Sequence, residues 1–327
     1  MVESVSASEA YQEFEKRNNR FLNMLVDNDR NLRRQGLEGI RKSLNEEKDP
    51  KIVEFFYRER LAKRLVLILE DQIEKNRELA IDIIQKMTER VGLKEESQIL
   101  LPAIAARMNN TPFPEQSEET RLLLLELLGV CLSSDKYQFL PKLSEICNMI
   151  SKAATDANPE MKQKSAKFAA ELCRELKDKV GPYMKNTVIS LVKNLHHQHS
   201  KVRKSTLLGL QDVLSCRGAE AFIEDALPQL KYAQNDRSQD VRLTFYDSVM
   251  RHWLCNVEIH SLRKFEHHFV LYLLNGLADE IADIARVSNE LLEEHGRTMR
   301  EALIQLGEEG GAGEGHMSVD EGAGASH

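Results

Sequence analysis

Two histidine clusters are the residues of this chain best suited to chemistry by type and spacing. His196, His197 and His199 form the first cluster, and His267 and His268 form the second. Neutral imidazole is the commonest metal ligand in proteins, so such clusters raise the question of a metal site. The first cluster, however, has no cysteine or carboxylate at a spacing that completes a tetrahedral ligand set. We predict no metal-binding residue and expect this cluster to be a solvated turn.

Nucleophilic and cofactor-binding patterns are equally sparse. The chain contains no P-loop, no glycine-rich dinucleotide fingerprint, no G-x-S-x-G and no H-E-x-x-H motif. Its five cysteines lie in helical apolar patterns without any C-x-x-C pair, and they are Cys131, Cys147, Cys173, Cys216 and Cys255. Free cysteine in such a pattern behaves as a small hydrophobe, and scattered single cysteines are typical of a reducing compartment. We predict no catalytic residue, no cofactor and no enzymatic activity.

The composition favours a helical protein in which acids and bases nearly balance outside the last 21 residues. Of 327 residues 42% are apolar, and seven of the 16 glycines lie in the last 21 residues. The net charge is −7, but five acids fall in 307–327, which leaves 47 acids against 45 bases elsewhere. A nearly neutral body argues against nucleic acid as a partner, because phosphate backbones are bound by basic stripes.

No segment predicts a membrane anchor or a secretory signal. The longest apolar run lies around 122–128 and contains Glu126, whereas a membrane-spanning helix needs about 20 apolar residues. The first ten residues lack the basic and then apolar pattern of a signal peptide. We predict a soluble protein without a membrane partner, located in the cytoplasm or, as an alternative, in the nucleus.

Seven positions recur at nearly constant spacing, and we call them anchors. They are Arg33, Arg77, Arg121, Lys162, Arg203, Arg242 and Ala285, separated by 44, 44, 41, 41, 39 and 43 residues. This spacing lies in the range of HEAT and armadillo repeats. The residue seven positions after each anchor is apolar. The residue four positions after each anchor is fully polar only in the seventh repeat, at Asn289. These offsets share one face of a helix, so they predict the buried stripe of the second helix of each repeat.

Acidic residues recur six positions before the anchors. They are Asp27, Asp71, Glu115, Asp156, Asp236 and Asp279, with His197 standing in place of an acid in the fifth repeat. An aspartate just before a helix accepts hydrogen bonds from free backbone N–H groups. We hypothesise that the basic anchor of a neighbouring repeat also pairs with it, which would form a ladder of ion pairs along the array.

The periodicity predicts an all-α fold, a right-handed α-α superhelix of the HEAT or armadillo type with about seven helical hairpins. We expect the solenoid to cover 1–306, with repeats at about 8–47, 50–93, 97–134, 137–178, 180–217, 219–257 and 260–306. The acidic, glycine-rich segment 307–327 is predicted to be disordered. A solenoid of this kind is expected to form a curved rod whose long concave face is lined by the second helices. That face suits an extended protein partner.

Two enzyme classes share this architecture, and the sequence argues against both. The HEAT-repeat di-iron hydroxylases that act on deoxyhypusine bind iron through His-Glu dipeptides, and none of the ten histidines here is followed by glutamate. HEAT-like DNA glycosylases need a basic concave face and aromatic residues near the lesion. The single tryptophan, Trp253, shares a helix face with Tyr246 and Val249, which favours core packing.

Two stretches resemble the HEAT-repeat dynein axonemal assembly factor family. The first is HHQHSKVR at 196–203, and the second combines VR at 241–242, WL at 253–254, FVLYLLNGLADE at 269–280 and LLEEHG at 291–296. The similarity is clearest over 180–296. Family members are much longer, so the chain would correspond to an N-terminal portion or a short form.

The resemblance implies a non-enzymatic scaffold for the cytoplasmic preassembly of axonemal dynein arms. Its partners would be axonemal dynein chains, other assembly factors and heat-shock chaperones, and no partner-contact residue can be assigned from the sequence. Two alternatives stay open. The first is another HEAT adaptor, such as a phosphatase scaffold or a protein similar to nuclear transport receptors, and the second is a HEAT-based enzyme, which the missing metal ligands disfavour.

Overall fold

The computed structural model describes residues 8–255 and 264–311. Within these two ranges all regular structure is helical and no β-strand occurs, which confirms the predicted all-α class. Residue contacts divide the chain into two compact units, Met1–Thr244 and Phe245–His327. We describe the two units separately, and the predicted solenoid boundaries of 1–306 stay a prediction.

Helical hairpins follow one another through the first unit. Each hairpin has a first helix, which we call A, and a second helix, which we call B. The first hairpin consists of α1 (Glu9–Met24) and α2 (Arg30–Glu46). In the second, the A helix is formed by α3 (Pro50–Phe56), a π-helical turn Tyr57–Leu61 and α4 (Ala62–Ile68), and the B helix is α5 (Glu74–Val91). The third consists of α6 (Ser97–Met108) and α7 (Glu118–Ser134). The next are α8 (Leu143–Ala153) with α9 (Pro159–Leu176), α10 (Lys185–Asn194) with α11 (Ser200–Ser215), and α12 (Ile223–Gln234) with α13 (Gln239–Leu243).

Successive hairpins of the first unit stack in two layers. The A helices form one layer, in which α1 contacts α3, α4 contacts α6, and α6, α8, α10 and α12 follow in order. The B helices form the other layer in the order α2, α5, α7, α9, α11 and α13. Each repeat thus buries its apolar stripe against its neighbours, as expected of a solenoid.

Short polar side chains mark the starts of several helices. Asp29 accepts a hydrogen bond from the Asn31 N–H at 2.7 Å before α2, and Ser117 accepts one from the Thr120 N–H at 3.1 Å before α7. Asn158 precedes Pro159 and accepts from the Glu160 N–H at 2.8 Å. These caps satisfy backbone donors that have no partner inside the helix, so they fix where each B helix begins.

In the part of the second unit that the structure describes there are three further α-helices. It holds most of a π-helical stretch, Thr244–Met250, followed by α14 (Arg251–Cys255), α15 (Glu266–Gly276) and α16 (Ala282–Gly311). α16 packs against both α14 and α15. The predicted start of the tail, residue 307, falls inside α16, and the rest of the predicted tail, 312–327, lies outside the described residues.

The predicted buried stripe is correct in six repeats and is less buried in the seventh. Residues seven positions after the first six anchors are at most 1% exposed, and they are Ile40, Ile84, Leu128, Ala169, Leu210 and Val249. In α16 the buried residues are instead Ile284, Val287, Ser288 and Leu291, whereas Leu292 is half-buried and Asn289 is exposed. Ile284, Ser288 and Leu291 stand one before, three after and six after Ala285, and these offsets are also buried in the second to fifth repeats, so Ala285 keeps the register of the other anchors.

Gly209 sets the close approach of α9 and α11. A Cβ atom at this position would lie 2.9 Å from the Ala166 carbonyl oxygen and 3.1 Å from the Ala166 Cβ. Because a backbone atom cannot rotate away, we expect Gly209→Ala to separate the two helices and to lower the free energy of unfolding by about 1–2 kcal/mol, after the gain in helix propensity.

The matched control for this substitution is Gly129→Ala in α7. A Cβ at Gly129 would meet nothing closer than Glu171 Oε2 at 4.0 Å. Helix propensity then acts alone, so this variant should be stabilised by about 0.5–1 kcal/mol in urea unfolding. Equal effects of the two substitutions would show that Gly209 does not limit the packing of the repeats.

Candidate functional site

Four buried or partly buried ion pairs join neighbouring repeats at four of the five junctions within the first unit, and we call them the ladder. In each rung the anchor arginine donates from Nε and Nη2 to both oxygens of an acid in the following repeat. The rungs are Arg33–Asp71 at 2.5 and 3.1 Å, Arg77–Glu115 at 2.7 and 2.6 Å, Arg121–Asp156 at 2.8 and 3.1 Å, and Arg203–Asp236 at 2.5 and 2.7 Å. The hypothesis of a ladder is confirmed for these four pairs.

Each rung also ties the arginine to its own turn. Arg77 Nη1 donates to the Asp71 carbonyl oxygen at 2.8 Å, and Glu115 Oε1 accepts from the Ser117 N–H at 3.0 Å. One guanidinium thus bridges the turn of its own repeat and the turn of the next. This planar, bidentate geometry is specific to arginine and fixes the angle between neighbouring repeats.

Two carboxylates of the ladder, those of Glu115 and Asp71, are held in the ionised form. Burial alone raises the pKa of Glu115, but hydrogen bonds from Arg77, Arg107 and the Ser117 N–H outweigh it and leave the pKa below its ordinary value. The pKa of Asp71 is also lowered, because Arg33, the Ile73 N–H and Asn76 outweigh the effect of burial. These acids therefore stabilise the fold above the pKa of an unfolded carboxyl, near 4, and lose that contribution as the pH falls through their folded pKa values.

The ladder is interrupted between the fourth and fifth repeats. Lys162 occupies the anchor position, and His197 stands where the acid of the next repeat is expected. Lys162 Nζ lies 3.2 Å from Asn194 Oδ1 and 3.4 Å from the Ala154 carbonyl oxygen. His197 Nδ1 accepts from the His199 N–H at 3.1 Å, which is the bond that a carboxylate accepts in the other turns. A neutral imidazole and a lysine thus replace one charged rung.

The environment of His197 opposes its protonation. Burial lowers its pKa first, and the positive charges of Lys162, His199 and Arg203 lower it further. Protonation would also remove the Nδ1 lone pair that accepts the His199 N–H. This junction of repeats is therefore compatible with neutral His197 and is weakened when His197 becomes cationic.

The histidines of both clusters contact other side chains. The His196 ring packs edge-on against the Tyr232 ring, with 4.3 Å between the two ring centroids. His196 Nε2 lies 2.5 Å from Gln229 Oε1. The rings of His267 and His268 are 3.9 Å apart on α15. Within 8–255 and 264–311, no group of three histidine, cysteine or acidic residues has the arrangement of a metal site.

The cysteines are buried for the most part and are poor nucleophiles. Four of the five are buried and Cys255 is half-buried. Burial raises the pKa of Cys131 and of Cys147 to about 12, so the reactive thiolate is scarce near neutral pH. The Cys216 thiol donates to the Lys177 carbonyl oxygen at 3.1 Å. Their role in the fold is that of small core residues.

Trp253 belongs to the core of the second unit, as the sequence predicts. Its side chain is 3% exposed, and its ring centroid lies 5.3 Å from that of Phe269. Tyr246 and Val249 on the same helical face are also buried. The tryptophan is therefore a packing residue.

A further ion pair between repeats, Arg58–Glu96, lies outside the predicted ladder. Arg58 Nη1 lies 2.6 Å from both carboxylate oxygens of Glu96, and Nη2 donates to the carbonyl oxygens of Val91 and Gly92. This arginine joins the A helix of the second repeat to the turn that begins the third. Its position lies outside the anchor register, and the only sequence signal is a spacing of 38 residues that Arg58–Glu96 shares with Arg33–Asp71.

A groove crosses the B-helix layer of the first unit between α5, α7 and α9. Its volume is about 700 Å³, and its lining includes Gln85, Glu89, Gly129, Lys164 and Glu171. The groove is open and mixed in polarity. It is suited to a segment of another protein, since enzyme sites are more enclosed.

The repeat stacking, the ladder and the open groove define this chain as an α-solenoid of the HEAT or armadillo type. A family model described as "Dynein axonemal assembly factor 5-like, TPR repeats" matches residues 24–302. The chain therefore belongs to the dynein axonemal assembly factor 5-like family, which confirms the resemblance seen in the sequence.

Relatives of known name agree with this assignment. Dynein axonemal assembly factor 5 of Xenopus laevis is 29% identical over 278 residues, which cover 85% of this chain and 33% of that protein. The Homo sapiens protein of the same name is 26% identical over 272 residues, which cover 81% of this chain and 31% of that protein. The chain thus spans about a third of the length of the curated relatives it matches.

Solved structures support the fold alone. The crystal structure of an engineered protein superposes with a TM-score of 0.51 at 14% identity, covering 72% of this chain and 96% of the other. A computationally designed armadillo repeat protein for modular peptide recognition superposes with a TM-score of 0.51 at 16% identity, covering 69% of this chain and 95% of the designed protein. Separately, none of the described helices combines the length and apolarity that crossing a bilayer requires.

Proposed function

We propose that this chain is a non-enzymatic, protein-binding scaffold in the cytoplasmic preassembly of axonemal dynein arms. The observation that carries the proposal is the family match over 24–302. The partners we propose are axonemal dynein chains, with other assembly factors and heat-shock chaperones acting on the same clients. The relatives' name supports a role in dynein assembly.

The architecture supports a scaffold better than it supports a catalyst. A solenoid presents long faces of side chains held at fixed spacing, and the ladder fixes that spacing through buried, bidentate contacts. The buried thiols Cys131 and Cys147 have raised pKa values, and the histidines of the 196–199 turn contact Tyr232, Gln229 and one another. Side chains with these contacts suit stable packing, and we propose that the chain performs no chemistry of its own.

Affinity purification of the tagged chain from the cytoplasm of ciliated cells tests this proposal. A designed armadillo repeat protein with the same tag is the matched control, because it presents a similar fold without the family's sequence. We expect the chain, and not the control, to enrich axonemal dynein heavy or intermediate chains together with chaperones. The tagged chain should also fill the cell body and be absent from the axoneme.

Two results would contradict the proposal. Enrichment of phosphatase subunits or of a small GTPase in place of dynein chains would favour a different HEAT adaptor. Concentration of the chain in the axoneme would place it with assembled arms and not with their precursors.

A further inference from the structure

Gly129 is a mid-helix glycine that the packing of the chain does not require. It lies within α7, where glycine costs about 1 kcal/mol relative to alanine. A Cβ built there would have its nearest neighbour, Glu171 Oε2, at 4.0 Å. Its backbone is ordinary helix, so no unusual φ angle calls for glycine either.

Other helical glycines have an evident structural reason. A Cβ would fall within 3.0 Å of another residue's atoms at each of Gly36, Gly39, Gly209 and Gly276. Gly296 on α16 shares the open surroundings of Gly129, but it lies on an exposed surface and not in a groove. Gly129 is therefore distinguished by lying, half-buried, in the lining of the groove between α5, α7 and α9.

A comparison of equivalent positions in the repeats shows that a long side chain is often present where Gly129 stands. At eight residues after the anchor, the first, second and fifth repeats carry the long side chains Arg41, Gln85 and Gln211. The third and fourth repeats carry Gly129 and Ala170. Of these five positions, Gln85 and Gly129 line the groove, and only Gly129 places no side chain in it. A glycine in such a position lets the backbone of a ligand approach the helix closely.

The charges around Gly129 favour a cationic ligand. Three acids line the groove, Glu89, Glu126 and Glu171, against the two lysines Lys164 and Lys167. Lys164 pairs with Glu126, and Lys167 lies 3.7 Å from Glu171. The Glu89 carboxylate accepts a hydrogen bond from the Gln85 amide at 3.2 Å, and no basic group of the described residues lies within 4.0 Å of it. One acid is thus left without a counter-charge.

We propose that this groove binds an extended segment of a partner protein, with the segment's backbone against Gly129 and a lysine or arginine side chain directed to Glu89. The inference rests on the proposed role as a protein-binding scaffold and adds the location and the chemistry of the contact. The close approach of the partner's backbone to Gly129 selects for a segment whose shape fits the groove. The unpaired carboxylate of Glu89 selects a basic side chain over an acidic one.

A displayed library of random octapeptides provides the test. The library is selected on the whole chain and counter-selected on Gly129→Leu, whose side chain fills the groove floor. We expect the enriched peptides to share a lysine or arginine, and an acidic or uncharged consensus would overturn the proposal. Failure to enrich any peptide against the counter-selected variant would overturn it as well.

The consensus peptide is then synthesised with a fluorophore and its Kd measured by anisotropy. We expect Gly129→Leu to raise the Kd by at least about tenfold and Glu89→Gln to raise it by about three- to tenfold. The controls are Gly296→Leu, at the other open helical glycine, and Glu224→Gln, at an exposed acid of α12, and both should leave the Kd unchanged. Circular dichroism confirms that each variant is folded, and equal Kd values for Gly129→Leu and Gly296→Leu would reject the groove.

The same variants separate this inference from the proposed function. If the wild-type chain and Gly129→Leu enrich dynein chains equally, the groove assignment is wrong while the scaffold role stands. If the peptide binds the groove but dynein chains are absent from the wild-type purification, the groove stands and the proposed function fails.

Discussion

Glu115→Ala is expected to lower the free energy of unfolding by about 3–5 kcal/mol, which is the usual cost of removing one partner from a buried ion pair. The Glu115 side chain is fully buried, and its carboxylate accepts from Arg77, from Arg107 and from the Ser117 N–H. Its loss leaves the Arg77 guanidinium, itself 9% exposed, without a counter-charge at the junction of two repeats.

Urea unfolding measures the effect, and amide hydrogen exchange locates it. Because each repeat of a solenoid contacts only its neighbours, faster exchange should concentrate in α5 and α7. The matched control is Glu126→Ala, which removes an exposed acid paired with Lys164 and should cost less than about 1 kcal/mol. The double variant Arg77→Met with Glu115→Leu should recover much of the stability, since it removes both charges together. If Glu115→Ala unfolds like the wild type, the ladder does not hold the repeats together.

The ladder was predictable because its residues recur at constant offsets. An acid six positions before each anchor is a local pattern, and the spacing of the repeats places it beside the preceding arginine. The sequence also shows that Lys162 and His197 depart from the pattern. It does not show that both departures meet at one junction or that Asn194 supplies the acceptor for Lys162, since those facts depend on the stacking.

Other features could not be predicted because they depend on contacts between distant residues. The loss of burial at Asn289 and Leu292 in α16 is one such feature, because the turn before α16 has the usual form: Asp279 accepts the Ile281 N–H as Asp236 accepts the Ser238 N–H. The π-helical turns Tyr57–Leu61 and Thr244–Met250 have no marker in the sequence. Gly129 stands out in the sequence only as a glycine within a leucine-rich helix, and its surroundings become meaningful once α5, α7 and α9 are in place.

Restoring the missing rung should stabilise the chain and remove a dependence on pH. In the double variant Lys162→Arg with His197→Asp, a guanidinium and a carboxylate occupy the positions that they hold in the four existing rungs. We expect an increase in the free energy of unfolding of about 1.5–3 kcal/mol at pH 7.5, the usual contribution of hydrogen bonds between charged groups. Each single variant should gain less, since the planar pairing needs both partners.

The expected pH dependence follows from the lowered pKa of His197. In the unfolded chain histidine takes up a proton below about pH 6.5, whereas folded His197 resists protonation until a lower pH. The unfolded state therefore binds more protons in this range, and stability falls as the pH drops below about 6.5. The groups that oppose the proton are Lys162 of α9, Arg203 of α11 and His199 of the same turn.

Urea unfolding at pH 7.5 and pH 5.5 isolates this contribution when variants are compared. His197→Asn keeps an acceptor for the His199 N–H but cannot titrate, so its loss of stability between the two pH values should be smaller than that of the wild type. His196→Asn, in the same turn with an exposed ring, should lose as much stability as the wild type. Identical losses for the wild type and His197→Asn would mean that the interrupted rung does not respond to protons. In that case a gain from the double variant would reflect the new ion pair alone.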